Sequence, residues 1–170
     1  MVTRRQAREW ALQMLVQFDL NPSQTIDADI AAFWEQQMQL EVEAREKGVL
    51  RKPAFTTDDM KVMASLGSAK EFAEARVKGV LASRDALDEM IGEYLRNWSL
   101  YRLGTVERNV LRIGLWELKN CPDIPAPILV NEAIDLAKFF SETKSGKFVN
   151  GVMDRMAKDL RAPKAETFTP

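Results

Sequence analysis

Three arginines stand close together near the start of the chain: Arg4, Arg5 and Arg8, in the stretch TRRQARE. On a helix Arg4 and Arg8 are neighbours at i,i+4, and Arg5 and Arg8 at i,i+3, so three guanidinium groups can converge within about one turn. A guanidinium binds phosphate through parallel N–H donors and stacks on bases. A helix N-terminus adds unsatisfied N–H groups that favour an anion. This pattern offers RNA contact; the plainer reading is a solvated polar face, with Glu9 pairing one arginine. A second basic group lies far along the chain, where Lys144 and Lys147 flank Gly146 and Phe148 follows. At a helix start such a loop can hold a phosphate while the ring stacks a base; the alternative is a core phenylalanine. A third group, Glu107 with Arg108 and Arg112, reads either as first-turn charges favoured by the helix dipole or as a contact with a partner protein.

The rest of the composition narrows the chemistry. The chain has no histidine and a single cysteine, Cys121. That removes imidazole acid–base chemistry, intrachain disulfides and the usual zinc sites. No Gly-rich phosphate loop of either common type is present. No catalytic residue, metal or cofactor is expected, and the protein reads as a non-enzyme. The net charge is -1, so any nucleic-acid site must be a local patch rather than a property of the whole surface. A hydrophobic content of 46% and a charged content of 29% over 170 residues suit a soluble globular domain with a sizeable core. No apolar run is long enough to cross a bilayer, and the N-terminus carries no signal-peptide pattern. A reducing cytoplasm is the expected compartment.

These candidates need elements to hold them, and the periodicity is helical throughout. Thr3 to Gln6 fits a capping box. The helix behind it buries Ala7, Ala11, Met14, Leu15 and Phe18, and Asn21-Pro22 ends it. A second helix starts near Ile26, carries Ile30, Phe33, Trp34, Met38 and Val42, and stops at Gly48. Residues 49–59 read as an exposed connection, with a short helix starting after Thr57. Residues 68–98 recur helically through Ala73, Val77, Val80, Leu87, Ile91, Tyr94 and Trp98, as one helix or as two with a kink near Ser83. Thr105 is the expected N-cap of a helix apolar on many sides, which implies a central position. Pro127 suits the first turn of the next helix. Residues 141–145 form a polar loop, with Ser145 as the N-cap of a last helix. Asn150-Gly151 is a hairpin-turn dipeptide, but Phe148, Val152 and Met156 are spaced by four, so the stretch reads as helix. Glycine inside a helix costs up to about 1 kcal/mol, and close packing by a neighbouring helix is the expected compensation. The expected fold is all-α, a compact bundle of about seven helices, with a flexible tail over 161–170.

At this level the residues resemble a known family. RRQAREWALQMLVQFDL resembles the Arg-rich first helix of the NusB transcription antitermination family. The segments VERNVLRIGLWEL, NEAIDLAKFF and KFVNGVMD match that family's C-terminal motifs in order and spacing. The resemblance implies an all-α fold of two packed helical subdomains, about 1–66 and about 67–160, within a single domain over 1–160. It implies a non-enzyme that binds boxA-type single-stranded RNA of ribosomal-RNA transcripts. The implied partners are the ribosomal protein NusE and, through the complex, the transcribing RNA polymerase, which then reads through terminators. Carried over by position, Arg4, Arg5 and Arg8 fall in the RNA-binding helix, and Lys147 and Phe148, with Lys144, in the second RNA-contacting region. Glu107 falls where the family meets its protein partner, with Arg108 and Arg112 on the same helix. Asn131, Glu132, Asn150 and Gly151 match motif positions, for which packing is the expected role. Gly146 replaces a histidine common in the family, Lys144 an acidic residue, and Val16 an aromatic; the stretch from about 35 to 57 is longer than usual. Some members self-associate through the RNA surface, which allows a homodimer. Two other readings fit the helical pattern: a protein-interaction bundle without RNA binding, and the NusB-like module of a ribosomal-RNA cytosine methyltransferase. The chain has no Rossmann-like segment after the helices, which argues against the second.

Overall fold

The Thr3 hydroxyl accepts a hydrogen bond from the Gln6 backbone N–H at 3.2 Å, which satisfies one orphan donor and starts the first helix. From there the computed structural model is helix after helix. It describes residues 2–47, 57–96, 98–141 and 143–161. The elements are α1 (Arg4–Leu20), α2 (Ile26–Glu46), α3 (Thr57–Ala82), α4 (Arg84–Tyr94), a 3-10 turn (Leu100–Arg102), α5 (Thr105–Asn120), α6 (Ala126–Phe140) and α7 (Thr143–Arg161). No strand occurs among the described residues, so the fold is all-α as expected. Of the connection expected at 49–59, residues 49–56 lie outside the described residues, as do the helix stop expected at Gly48 and residues 162–170 of the expected tail, while 57–59 and Arg161 are helical.

By its contacts the chain divides into two units, Met1–Val77 and Lys78–Pro170. The division falls within α3, later in the chain than the boundary expected near residue 66. In the first unit α1 buries Ala7, Trp10, Ala11, Met14, Leu15 and Phe18, while α2 buries Ile30, Phe33 and Trp34. Trp10 and Trp34 meet edge to face with centroids 5.3 Å apart, an arrangement the ring quadrupoles favour. The Trp34 indole N–H has a partner, donating to Glu74 Oε1 at 2.9 Å.

In the second unit α5 is central, as its many-sided apolar pattern requires. It packs against α4, α6 and α7, and α6 packs along α7. Val110, Leu111 and Leu115 are fully buried. Gly114 marks the close approach of α5 and α7: a Cβ there would lie 2.5 Å from Met153 Sδ. Arg161 closes the far end. Its Nε–H donates to Leu118 O at 2.6 Å, and its Nη2 to Cys121 O at 2.9 Å and Glu117 O at 3.3 Å. One guanidinium thus gathers three carbonyls at the end of α5: Leu118 O, whose i+4 residue is Pro122 and has no N–H to give, and Glu117 O and Cys121 O, which also accept the Cys121 and Ile124 N–H groups.

Several expected boundaries move. The short helix after Thr57 and the helix expected from residue 68 are one element, α3. The break comes at Ser83, where the hydroxyl donates back to Gly79 O at 2.6 Å, a local bond that competes with helix propagation. The next helix ends at Tyr94 rather than running on to Trp98, which is 59% exposed. Gly104, not Thr105, is the N-cap of α5. Ser145 lies inside α7, which starts at Thr143, and its hydroxyl is taken up by a tertiary contact rather than a cap. Asn150 and Gly151 are helical, as the spacing required.

Candidate nucleic-acid interface

The arginines of α1 come together as the helical spacing demands, around an aromatic ring that sequence reading did not pair with them. The guanidinium carbons of Arg4 and Arg8 lie 5.6 and 5.2 Å from the centroid of the Phe72 ring, and that of Arg76 lies 3.1 Å away. Each contact is a cation–π attraction, together holding the groups in one place. Arg76 also donates to Phe72 O at 3.0 Å. Phe72 and Arg76 share one turn of α3, but nothing in their local pattern ties them to α1. The three arginines differ in what they present. Arg4 is exposed; Arg5 is partly exposed and pairs with Glu9 at 3.3 Å; Arg8 is only 3% exposed. No acidic residue stands in the first turn of α1, so its positive end keeps its field for an anion.

The second unit carries an open cavity of 570 Å³. Trp98, Arg102, Leu103, Gly104 and Glu107 line it from the segment before α5 and its first turn. Ser141, Lys144, Ser145 and Phe148 line it from the α6–α7 junction. Lys144 and Phe148 are one helical turn apart, which brings both side chains to the same face. Lys147 is exposed but does not line the cavity. Gly146 is explained by its neighbour: a Cβ there would meet Lys138 Cγ at 2.8 Å, so the lysine stem lies across a position with no side chain.

Glu107 is fixed in this cavity by two hydroxyls. Ser141 Oγ and Ser145 Oγ each donate to Glu107 Oε1 at 2.5 Å. Burial pushes its pKa up, but the donors Ser141 and Ser145 and its own backbone N–H outweigh that, and Glu107 titrates below the ordinary glutamate range. Gly104 lies directly against this carboxylate, where a Cβ would collide with Oε2.

The other two members of the expected protein-binding group separate. Arg108 donates to Leu103 O at 3.2 Å and lies 6.0 Å from the ring of Tyr101, which is 72% exposed. Arg112 is 1% exposed. Its Nε–H and Nη2 donate to the two carboxylate oxygens of Asp88 at 2.6 and 2.7 Å, and Nη1 to Asn109 Oδ1 at 3.1 Å. The expectation that Arg112 meets a partner is therefore corrected: its guanidinium is enclosed between α4 and α5 and joins them.

The packing role expected of Asn150 and Gly151 is also corrected. A Cβ at Gly151 would meet nothing nearer than Arg155 Nη1 at 3.9 Å, so no helix crowds it. Asn150 is exposed and, with Asn131, lines an open groove of 560 Å³ whose other walls include Val130, Asp154 and Lys158.

Sequence reading missed Phe72, Arg76, Trp98, Arg102 and Ser141. For Trp98 a signal existed: the polar run RNWS after Leu95 interrupts the apolar period. For the others, only the fold brings them to the site. Among the described residues no group of acidic, histidine or cysteine side chains could hold a metal ion. No helix among them is long and apolar enough to cross a membrane.

The fold and the sequence both have known relatives. The NusB family model matches residues 5–158. The transcription antitermination protein NusB of Myxococcus xanthus is 37% identical over 163 residues, covering 96% of this chain and all of that protein. The solved structure of Thermotoga maritima NusB superposes with a TM-score of 0.68 at 30% identity, covering 93% of this chain and 92% of that one. A structure of the antitermination factors NusB and NusE in complex with double-stranded RNA superposes with a TM-score of 0.64 at 27% identity, covering 92% and 96%. With matched motifs, an all-α fold and a family match over nearly its whole length, this chain belongs to the NusB family.

Proposed function

We propose that this protein is an RNA-binding transcription antitermination factor of the cytoplasm. It binds boxA-type single-stranded RNA of ribosomal-RNA transcripts together with the ribosomal protein NusE, and the complex helps the transcribing RNA polymerase pass terminators. No step requires catalysis or a cofactor. The observation that carries the reading is the basic end of α1, where Arg4 and Arg5 reach solvent with no acidic residue in the first turn. Support comes from the solved relative that holds NusE and RNA.

Arg4 and Arg5 contact phosphate, and Arg8, enclosed against Phe72, holds that end of α1 in shape. Lys144, Lys147 and Phe148 form the second contact region. Glu107 and Arg108, beside the exposed Tyr101, form the region that faces the protein partner. A protein with a net charge of -1 gains little from long-range attraction, so NusE supplies much of the affinity. Fluorescence anisotropy with a boxA-type strand and a scrambled control, with and without NusE, tests the proposal. Selective binding strengthened by NusE is expected, with a log–log salt slope of roughly -2 to -3 for three or four phosphate contacts. Equal affinity for both strands, or affinity independent of salt, would refute it.

A further inference from the structure

Asn131 and Asn150 are exposed on an open groove of the second unit, and neither has a task in the RNA-binding reading. α6 contributes Val130 and Asn131 to this groove, and α7 contributes Asn150, Asp154, Ala157 and Lys158. Its 560 Å³ is comparable with sites that enclose a ligand, about 300–1,000 Å³. Among the described residues Asn131, Asn150, Asp154 and Lys158 have no side-chain hydrogen bond or ion pair. Asp154 and Lys158 carry opposite charges at i,i+4, a spacing that permits pairing, yet they do not pair with each other. Asn150, Asp154 and Lys158 form one row along α7, with a step of about 6 Å for every four residues. Two residues of an extended chain span about 6.6 Å. Alternate side chains of an extended segment laid along α7 therefore meet successive members of the row. A carboxamide carries an acceptor and donors side by side, the same pair that a peptide backbone offers.

We infer that the α6–α7 groove is a docking site for an extended peptide segment of a partner protein, one that bears a basic and an acidic side chain two residues apart. The basic side chain meets Asp154, and the acidic one meets Lys158. Asn131 and Asn150, one on each wall, hydrogen-bond the backbone of the segment. Val130 and Ala157 supply apolar surface between these polar groups. A nucleic-acid strand fits the groove less well, because Asp154 sets a carboxylate in the middle of the row, where it repels phosphate. The site does not depend on the RNA-binding reading. The arginines of α1 belong to the other unit, so either reading can fail while the other stands.

The test uses the full chain labelled with nitrogen-15 and four synthetic heptapeptides rich in threonine and valine, which favour an extended backbone. At two alternate central positions one peptide carries lysine and glutamate, one two lysines, one two glutamates and one two serines. The side-chain amide resonances of Asn131 and Asn150 report occupancy. The mixed-charge peptide should shift both and bind severalfold more tightly than the other three, the scale of two exposed ion pairs. Asn150→Ala should weaken that binding about tenfold, the scale of a lost pair of neutral hydrogen bonds. Asp154→Lys should turn the preference to the doubly acidic peptide, and Lys158→Glu to the doubly basic one. A variant that merely unfolds cannot reverse a preference in this way. Unmoved Asn131 and Asn150 signals with all four peptides at millimolar concentration would overturn the proposal. A preference that neither charge reversal alters would overturn it as well. Shifts of the same two signals by a boxA-type strand alone would assign the groove to RNA instead. Shifts that grow with protein concentration, together with a dimer mass in sedimentation, would assign it to a second copy of the chain and equally end the proposal.

Discussion

Arg112 and Asp88 form a two-pronged ion pair between α5 and α4, with N···O distances of 2.6 and 2.7 Å and both side chains nearly out of solvent. A third donor goes to Asn109, so the guanidinium has planar, oriented partners on two sides. Removing one member leaves the other charge enclosed and unpaired, which costs about 3–5 kcal/mol. Arg112→Ala and Asp88→Ala should each show that loss in urea unfolding, with a fall in Tm of about 10 °C or more. Arg112→Lys should rescue little, because an ammonium cannot reproduce the fork. A loss below 1 kcal/mol in either alanine variant would show that the pair is not what joins the two helices.

Gly114 and Gly151 look alike in sequence, each inside a helix, but their surroundings predict opposite responses to alanine. At Gly114 the added Cβ meets Met153 Sδ and Cε at 2.5 Å, and Met153 is fully buried. Gly114→Ala should destabilise by about 1–3 kcal/mol through overpacking. At Gly151 the new atom meets only Arg155 Nη1 at 3.9 Å, an ordinary van der Waals contact, so Gly151→Ala should stabilise by about 0.5–1 kcal/mol through helix propensity. Thermal unfolding of the two variants side by side checks both signs.

Arg161 caps the end of α5 from a distant point in the chain. Its Nε and Nη2 bonds to Leu118, Glu117 and Cys121 carbonyls are charge-assisted, and such bonds contribute about 1.5–3 kcal/mol each at most in net stability. Arg161→Ala should cost about 2 kcal/mol in all, because water replaces part of the cap at this half-exposed position. Amide exchange should speed up in the last turn of α5 and the residues that follow, while α1 stays as protected as before.

Glu107 gives the second unit a pH response of fixed sign. Its pKa in the folded protein lies below the ordinary value, despite burial, because Ser141, Ser145 and its own N–H donate to the charged form. A depressed folded pKa contributes stability that is present above the unfolded glutamate value of about 4.3. That stability is lost as pH falls through the lower folded value. Glu107→Gln should therefore lower Tm at neutral pH and make the difference from the unmutated protein shrink in acid. A gap that stays constant down to pH 3 would contradict this.

Arg4 and Arg8 are neighbours on one helix face, the first exposed and the second enclosed. Arg4→Ala should weaken RNA binding and make the salt slope shallower by about 0.7, with little change in Tm. Arg8→Ala removes an enclosed guanidinium from the Phe72 cluster and should cost about 1–3 kcal/mol in stability. Paired anisotropy and unfolding measurements separate the two. Equal stability losses would show that both are structural.

The sequence by itself determined the helices, their order and the family, because these depend on local signals. The four-residue steps of Phe148, Val152 and Met156 outweighed the turn preference of Asn150-Gly151, and α7 runs through both. The Thr3 cap, the Asn21 stop, Pro127 in the first turn of α6 and the central place of α5 were readable for the same reason. The ends of α4 and α7 were less readable: Trp98 fits a helical step yet falls outside, and Ser145 has the chemistry of a cap yet turns to Glu107.

What only the tertiary structure decided is which charged side chains remain available. Arg4, Arg8 and Arg112 are the same residue type with comparable helical neighbours, but Phe72, Arg76 and Asp88 come from other helices and enclose two of the three. The same holds for the cavity, where Trp98 and Lys144 are far apart in the chain and line one space only after folding. Local periodicity fixes a side chain's direction on its own helix. It carries no information about what lies opposite, and that neighbour decides between an enclosed structural ion pair and a charged group left at the surface.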